Sequence, residues 1–223
     1  NSSVFKDYVL NPRVANELLA AYRSYFRKAL PASLQADALN SPDIIVDYIN
    51  KEITVNDAEN YYLTPLTPIG VDELKVSDTD SRKIYFVAIC RSLGIPSRLE
   101  PGSNVPQYFF NSEWKDVYFA DEKAPDTRKA FLKLIPNEKD PVPEYYTHFT
   151  IARLENGRFK TLDFDYGKKI TDFSEELALV PGDYMVVTGR RLANGNVLAD
   201  LTFFSLAPGE HVSREIRLRN EKQ

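Results

Sequence analysis

The apolar pattern of this chain changes period once, and that change limits the fold more than any other feature. Up to Gly94, apolar residues recur at three- and four-residue spacing. Beyond it they alternate in short runs broken by turn residues. Such a chain is expected to build helices against a small sheet and then a separate β structure. Its 223 residues allow one large domain or two small ones. Hydrophobic residues at 43% and charged residues at 27% sit near the globular average, so a packed core is expected. The 13 Tyr and 13 Phe against one Trp favour strands over coiled coils or helical arrays.

The first part reads as three helices. Asn11-Pro12 offers a cap followed by Pro at the first helical position. Val14, Leu18, Tyr22, Tyr25, Ala29 and Leu30 then form one helical face, stopped by Pro31. Ser41-Pro42 repeats the start signal before Ile44, Ile45, Tyr48 and Ile49. Residues 52–76, with Pro65, Pro68 and Gly70, read as loop with strand fragments. A third helix starts among Asp78-Thr79-Asp80-Ser81, runs through Ile84, Val87, Ala88 and Leu93, and ends at Gly94.

Three short strands are expected next, at Arg98–Glu100, Gln107–Phe110 and Trp114–Phe119, with a linker over Ala120–Thr127. The rest reads all-β. Turn signals fall at Asn156-Gly157, Gly167, Pro181-Gly182, Asn194-Gly195 and Pro208-Gly209, the spacing of a small β-sandwich. Leu162, Phe164 and Tyr166 alternate with Thr161, Asp163 and Asp165. Tyr184, Val186 and Thr188 alternate with Met185 and Val187, and Leu201, Phe203 and Ser205 with Thr202 and Phe204. The expected division is 1–124, an α+β domain, and 125–223, a β-sandwich.

Lys and Arg total 28 against 32 Asp and Glu, a formal net charge of -4. No basic stripe interleaved with aromatics is present, so a nucleic-acid partner is not expected. No apolar run reaches the roughly 18–20 residues of a membrane span. One cysteine, Cys90, excludes a disulfide within the chain and the cysteine-rich zinc patterns. No Gly-rich phosphate loop, serine elbow or paired-histidine helix occurs. The chain opens Asn1-Ser2-Ser3 with neither Met nor a signal-peptide pattern, as expected of a processed chain or a piece of a longer one. His148, in the alternating run Tyr146–Ile151, reads as a strand histidine, and His211, after Pro208-Gly209, as a solvated one. Asp163 and Asp165 are too few for calcium, which takes six to eight oxygens. Arg190-Arg191, before a hairpin turn, reads as a solubilising pair. No metal and no cofactor is expected.

The most specific stretch is Arg91-Ser92-Leu93-Gly94-Ile95-Pro96-Ser97-Arg98, which ends a helix and opens a strand. It resembles the core of the transglutaminase-like superfamily, whose fold is papain-like. The resemblance extends from about Asp43 to Phe119: helices, the long helix, then three strands, the last beginning with Trp. A longer similarity is to multidomain bacterial cell-envelope proteins, in which such a module precedes a transthyretin-like or carboxypeptidase-regulatory-like β-sandwich. Leu179-Val180-Pro181-Gly182-Asp183-Tyr184 and Thr188-Gly189-Arg190-Arg191-Leu192-Ala193-Asn194-Gly195 fit that sandwich.

Active members of the family use Cys, His and Asp. Counting back from Gly94-Ile95-Pro96, the resemblance puts the nucleophile at Thr79, give or take a residue, where no thiol stands. The histidine belongs between Arg98 and Trp114, with 103–108 its expected place, and that span has no His. Asp116 corresponds to the acid. The resemblance therefore implies a module without catalysis, with Thr79 and Asp116 as degenerate positions. Its former cleft would bind an extended peptide or glycan through Asp78, Tyr108 and Trp114, with Phe109 beside them. Asp78 and Asp80 also read as helix caps, worth roughly 1 kcal/mol. Two alternatives stand beside this reading. One is a cysteine-dependent amidase, peptidase or transglutaminase with Cys90 as nucleophile and His148 as base. The other is a spacer between neighbouring domains of the same chain. An extracytoplasmic location is implied by the envelope resemblance alone.

Overall fold

The computed structural model describes residues 2–122, 129–137, 141–155, 157–173 and 175–219. Helices and sheets both contribute, so the chain is α+β. It divides into two compact units, 1–100 with 104–124, and 101–103 with 125–223. The expected boundary at 124, most of the linker read over Ala120–Thr127, and Asn156 of the Asn156-Gly157 turn lie outside the described residues.

Helix α6 (Thr79–Ser92) forms the centre of the first unit. Every residue from Ile84 to Ser92 is buried, so this helix is enclosed on all sides rather than amphipathic. Around it stand α2 (Tyr22–Ala29), α3 (Ala32–Ala38), α4 (Asp43–Glu52) and α5 (Pro68–Leu74), after a short N-terminal helix α1 (Ser2–Phe5). Tyr22, Phe26, Ile45, Ile49 and Val71 meet Tyr85, Phe86 and Ile89 in one core. Strands β1 (Thr54–Val55) and β2 (Val76–Ser77) pair in parallel. Gly94 closes α6 at φ +83°, a left-handed position that glycine takes without Cβ strain. Ile95 N then donates to Cys90 O at 2.9 Å, the six-to-one bond of a Schellman end. The chain is thereby released into β3 (Ser97–Leu99), β4 (Pro106–Phe110) and β5 (Glu113–Asp116), an antiparallel sheet in sequence order.

Two expectations fail here. The helix read from Val14 onward begins only at Tyr22. The N–H groups of Val14 and Ala15, which would open it, donate instead to the buried Glu17 carboxylate, each at 2.8 Å. Arg91, buried inside α6, takes the carbonyls of Asn11 and Arg13 at 3.0 and 2.7 Å. Tertiary polar contacts thus outbid local helix propensity. The segment 52–76, read as loop with strand fragments, does supply β1 and the start of β2, but it also contains α5. Thr67 Oγ1 caps it by accepting from Gly70 N at 3.0 Å, with Pro68 in the first turn.

The second unit holds two sheets. One has four strands in the order β11 (Val197–Leu206), β10 (Gly182–Arg191), β7 (Phe149–Glu155), β8 (Arg158–Thr161). The other has three, β12 (His211–Ile216), β6 (Ala130–Pro136), β9 (Leu177–Leu179), with β12 parallel to β6. Ile151, Tyr184 and Val186 from the first sheet share a core with Ala130, Leu132, Leu134 and Ile216 from the second.

The alternation expected at Tyr184, Val186 and Thr188 is observed, all three being buried. Pro181-Gly182, read as a turn, instead leads directly into β10. The alternation expected over 161–166 is kept in burial as far as Asp165, with Leu162 buried and Phe164 packed against the core between exposed neighbours, although β8 itself ends at Thr161. Tyr145 Oη donates to Leu162 O at 2.7 Å, taking a carbonyl that a longer ladder would use, and Tyr166 is left exposed. His148 lies before β7 rather than within it. Tyr146 takes φ +63°, and His148 Nδ1 accepts from Glu144 N at 3.1 Å.

Candidate functional site

The N-terminus of α6 is the position to which the resemblance assigns the nucleophile, and its polar groups are already engaged. Asp78 is the N-cap. Its Oδ1 accepts from Ser81 N at 2.9 Å, and its Oδ2 accepts from Ser81 Oγ at 2.5 Å and Asn60 Nδ2 at 2.9 Å. Thr79 donates twice to Asp57, from N to Oδ1 at 2.7 Å and from Oγ1 to Oδ2 at 2.8 Å. A carboxylate is a weak base toward an aliphatic hydroxyl, so this pair holds the loop and does not make an alkoxide. Asp80 Oδ1 accepts from Asn104 Nδ2 at 3.0 Å. One turn into the helix, the buried Arg82 pairs with Asp121 at 2.6 Å and Glu122 at 3.4 Å and lies over the Phe119 ring at 4.2 Å. The Arg82 hydrogen bond holds Asp121 below the usual carboxylate range.

Asp116 belongs to a row that crosses the three-stranded sheet, since Arg98 pairs with Gln107 and Gln107 with Asp116. Arg98 Nε donates to Gln107 Oε1 at 2.9 Å, and Gln107 Nε2 donates to Asp116 Oδ1 at 2.7 Å. Tyr118 Oη donates to the other Asp116 oxygen at 3.2 Å. Gln107 falls in the 103–108 span. An amide can bridge Arg98 and Asp116, but it takes up no proton near neutral pH.

Tyr108 and Trp114 do not line one surface. Trp114 pairs with Phe109, so Trp114 and Tyr108 point to opposite faces of the sheet. Tyr108 is buried near Phe86, with its hydroxyl donated to Asp43 Oδ1 at 2.9 Å. Burial and that bond push its phenol up. Trp114 is half-buried on the other face, edge-on to Tyr8 at 4.9 Å, with Arg98 over its ring at 4.0 Å.

Cys90 is 0% exposed, in the last turns of α6. Burial pushes its thiol far up, and the helix C-terminus adds its own disfavour for a thiolate. His148, its expected base, has Nδ1 occupied by Glu144 N.

Three features of the first unit escaped the sequence reading. Asp57, 22 residues before Thr79, carried no motif. Asp72 gathers Tyr25 Oη and Tyr85 Oη, each at 2.7 Å, and Lys75 Nζ at 2.8 Å. The third is the loop tip Tyr61-Tyr62, 83% and 84% exposed and edge-on at 5.2 Å. Asn60 braces that tip through Thr64 and Asp78. The adjacent tyrosines were visible in sequence, but nothing there marked them as uncovered. Among the described residues no cluster of three metal-ligating side chains occurs, and no helix is long and apolar enough to cross a membrane. Comparison with protein-family models, curated proteins and solved structures finds no match to this chain.

Proposed function

We propose that this chain is a catalytically inactive transglutaminase-like module followed by a β-sandwich, acting as a binding or scaffolding part of a larger bacterial envelope protein. The observation that carries the reading is the N-terminus of α6. There the resemblance expects a thiol, and the chain has Thr79 tied through both N and Oγ1 to Asp57. Gln107, bonded to Asp116, stands in the span where the family's histidine is expected. The only cysteine of the chain, Cys90, is buried in the core.

A papain-like core is supported by the order of α6, a Schellman end and three antiparallel strands. A sandwich is supported by the shared core of the two sheets in the second unit. The envelope and extracytoplasmic parts of the reading rest on the resemblance alone. Any peptide or glycan ligand would meet Trp114 or the Tyr61-Tyr62 tip, because Tyr108 and Asp78 are committed inside the fold.

The test is the alkylation rate of Cys90 against pH, native protein against unfolded chain. Protection in the native state at every pH short of unfolding is expected. Labelling at pH 6 faster than in the unfolded chain would mean an activated thiol, and the reading of inactivity would be abandoned. Titration with cell-wall peptides and glycans, followed by Trp114 fluorescence, decides between binding and scaffolding. A protein that shows no saturable change keeps only the scaffolding role.

A further inference from the structure

Among the described residues, Tyr61 and Tyr62 are the most exposed large apolar side chains, and Leu63 beside them is also exposed. The turn that presents them is held in one shape. Leu63 N donates to Asn60 O at 3.0 Å, closing the turn over the two tyrosines. Asn60 Oδ1 accepts from Thr64 N at 3.1 Å. Its Nδ2 donates to Thr64 O at 3.0 Å and to Asp78 Oδ2 at 2.9 Å, which ties the turn to the N-cap of α6. Leu63 takes φ +53°, a left-handed position that is strained for a leucine. Strain and exposed rings both oppose folding, so a ligand accounts for them better than the fold does. The two ring planes stand at 88° with centroids 5.2 Å apart. Their faces form two walls of a corner, an arrangement in which aromatic rings receive a cation.

Charge names the occupant. Between Lys51 and Lys75 every charged residue is an acid. The bases around that stretch are each paired. Lys51 lies against Glu52 at 3.8 Å and Lys75 against Asp72 at 2.8 Å. Arg82 pairs with Asp121 and Glu122, and Lys83 lies 3.9 Å from Glu122. The acids next to the tyrosines meet neutral donors only, Asp57 from Thr79 and Asp78 from Ser81 and Asn60. Glu59, one residue before Asn60, is exposed and forms no ion pair among the described residues. No cation of the first unit therefore neutralises Asp57, Glu59 or Asp78.

We propose that the Tyr61-Tyr62 corner docks a basic peptide, with an arginine or lysine side chain laid against the ring faces and its charge met by Glu59 and Asp57. Such docking rests on the binding role proposed above and gives it a ligand class. A neutral glycan also stacks on tyrosine rings, but it gains nothing from the net charge beside them. A cation gains from both. Because the turn is already fixed, the rings lose little freedom when the peptide arrives.

The experiment is calorimetric titration of the 223-residue chain with a blocked peptide of alternating glycine and arginine. The same peptide with citrulline for arginine, and a chitin oligosaccharide, are titrated beside it. Saturable binding of the arginine peptide is expected, at least tenfold tighter than that of its neutral counterpart. Tyr61→Ala with Tyr62→Ala should weaken it at least tenfold. Tyr61→Phe with Tyr62→Phe should leave it within about twofold, because the ring face makes the contact. Glu59→Gln should weaken it about threefold and flatten its salt dependence. These side chains are exposed, so the variants should fold, which continued protection of Cys90 from alkylation checks. If the alanine pair fails to fold, the citrulline comparison on the wild-type chain still decides the question. No saturable binding of the arginine peptide overturns the proposal, as does binding that the alanine pair leaves unchanged. Equal loss from the phenylalanine and alanine pairs, or tighter binding of the oligosaccharide, overturns it too. A ligand that binds wild type and alanine pair alike, with a change in Trp114 fluorescence, removes the tip and keeps the binding role. An activated Cys90 removes the inactive reading whatever the tip binds.

Discussion

Asp72 is a carboxylate almost removed from water, yet it is held ionised. Burial works against its charge, but hydrogen bonds from Lys75, Tyr85 and Tyr25 outweigh burial and hold its pKa below the usual 3.8. The same contact acts on the donors. The Asp72 bond first, then burial and the charges of Asp72 and Glu73, push Tyr25 up to about 12, and Tyr85 is raised further by burial. Asp72→Asn should therefore cost about 2–4 kcal/mol in urea unfolding, the range for removing a charged acceptor that several buried donors share. It should also move the Tyr25 titration, read from phenolate absorbance, back toward 10. The sign follows from linkage. A phenol raised in the folded state adds stability that is full below pH 10 and is lost as pH rises through about 12. The variant should lose that alkaline dependence as well. A variant as stable as wild type, with Tyr25 still titrating near 12, would show that the cluster is held by packing alone. None of this was legible in the sequence, because its members lie 47, 13 and 3 residues from Asp72 and no motif joins them. Cys90 was different. Its apolar neighbours Ile89 and Leu93 and its place late in a helix already mark a core position in the sequence, and the thiol is buried.

At the scale of elements, α6 was the most legible part of the chain. Its cap residues, apolar run and terminal glycine all agree locally, and the helix begins and ends within about a residue or two of where they placed it. Asp78→Ala tests how much the cap carries. The loss of the bonds to Ser81 N, Ser81 Oγ and Asn60 should destabilise the first unit by about 1–2 kcal/mol, measured by chemical denaturation. Asp78→Asn should recover only the part carried by Ser81 N, since the amide keeps one accepting oxygen and its NH2 would face the Asn60 donor. An alanine variant of wild-type stability would place the start of the helix under the control of Asp57 and Asn104 instead. The N-terminal segment shows the opposite case. Leu18 and the Val14–Tyr22 spacing look helical, but Leu18 is exposed and the backbone is bound by Arg91 and Glu17. Pattern reports the side-chain face, whereas a buried charge 80 residues away decides which carbonyl it takes. The pairing of Tyr108 with Trp114 as cleft residues failed for a simpler reason. Adjacent strand residues alternate faces, so Tyr108 and Phe109 could not line the same wall, and the β4–β5 register puts Trp114 with Phe109.

For the whole molecule, the change of period near Gly94 was legible because helices and strands bury residues at different spacing. The sheet orders were not, since β6 pairs with β9 and β12 across long stretches of chain and no sequence pattern encodes which strands meet. The result is two cores with no member in common. Their links to pH also differ. The first unit contains Asp72 and Asp121, both held below the usual carboxylate range, so part of its stability is present above about pH 4 and is lost as pH falls through the lowered values. In the second unit the raised groups are the phenols of Tyr145 and Tyr146, pushed up by burial, whose contribution is full below pH 10 and lost only in alkali. Acid should therefore loosen the first unit before the second. Trp114, the single tryptophan, reports the first unit by fluorescence, and backbone hydrogen exchange of β7 and β10 reports the second. Between pH 6 and about 3 the thermal midpoint seen by Trp114 should fall, most of the loss coming from the buried Asp72 because the exposed Asp121 is screened by solvent, while protection in β7 and β10 persists. Loss of both signals at the same pH and temperature would mean that the two cores unfold as one cooperative body, and that their separate linkage to protons is hidden by coupling between them.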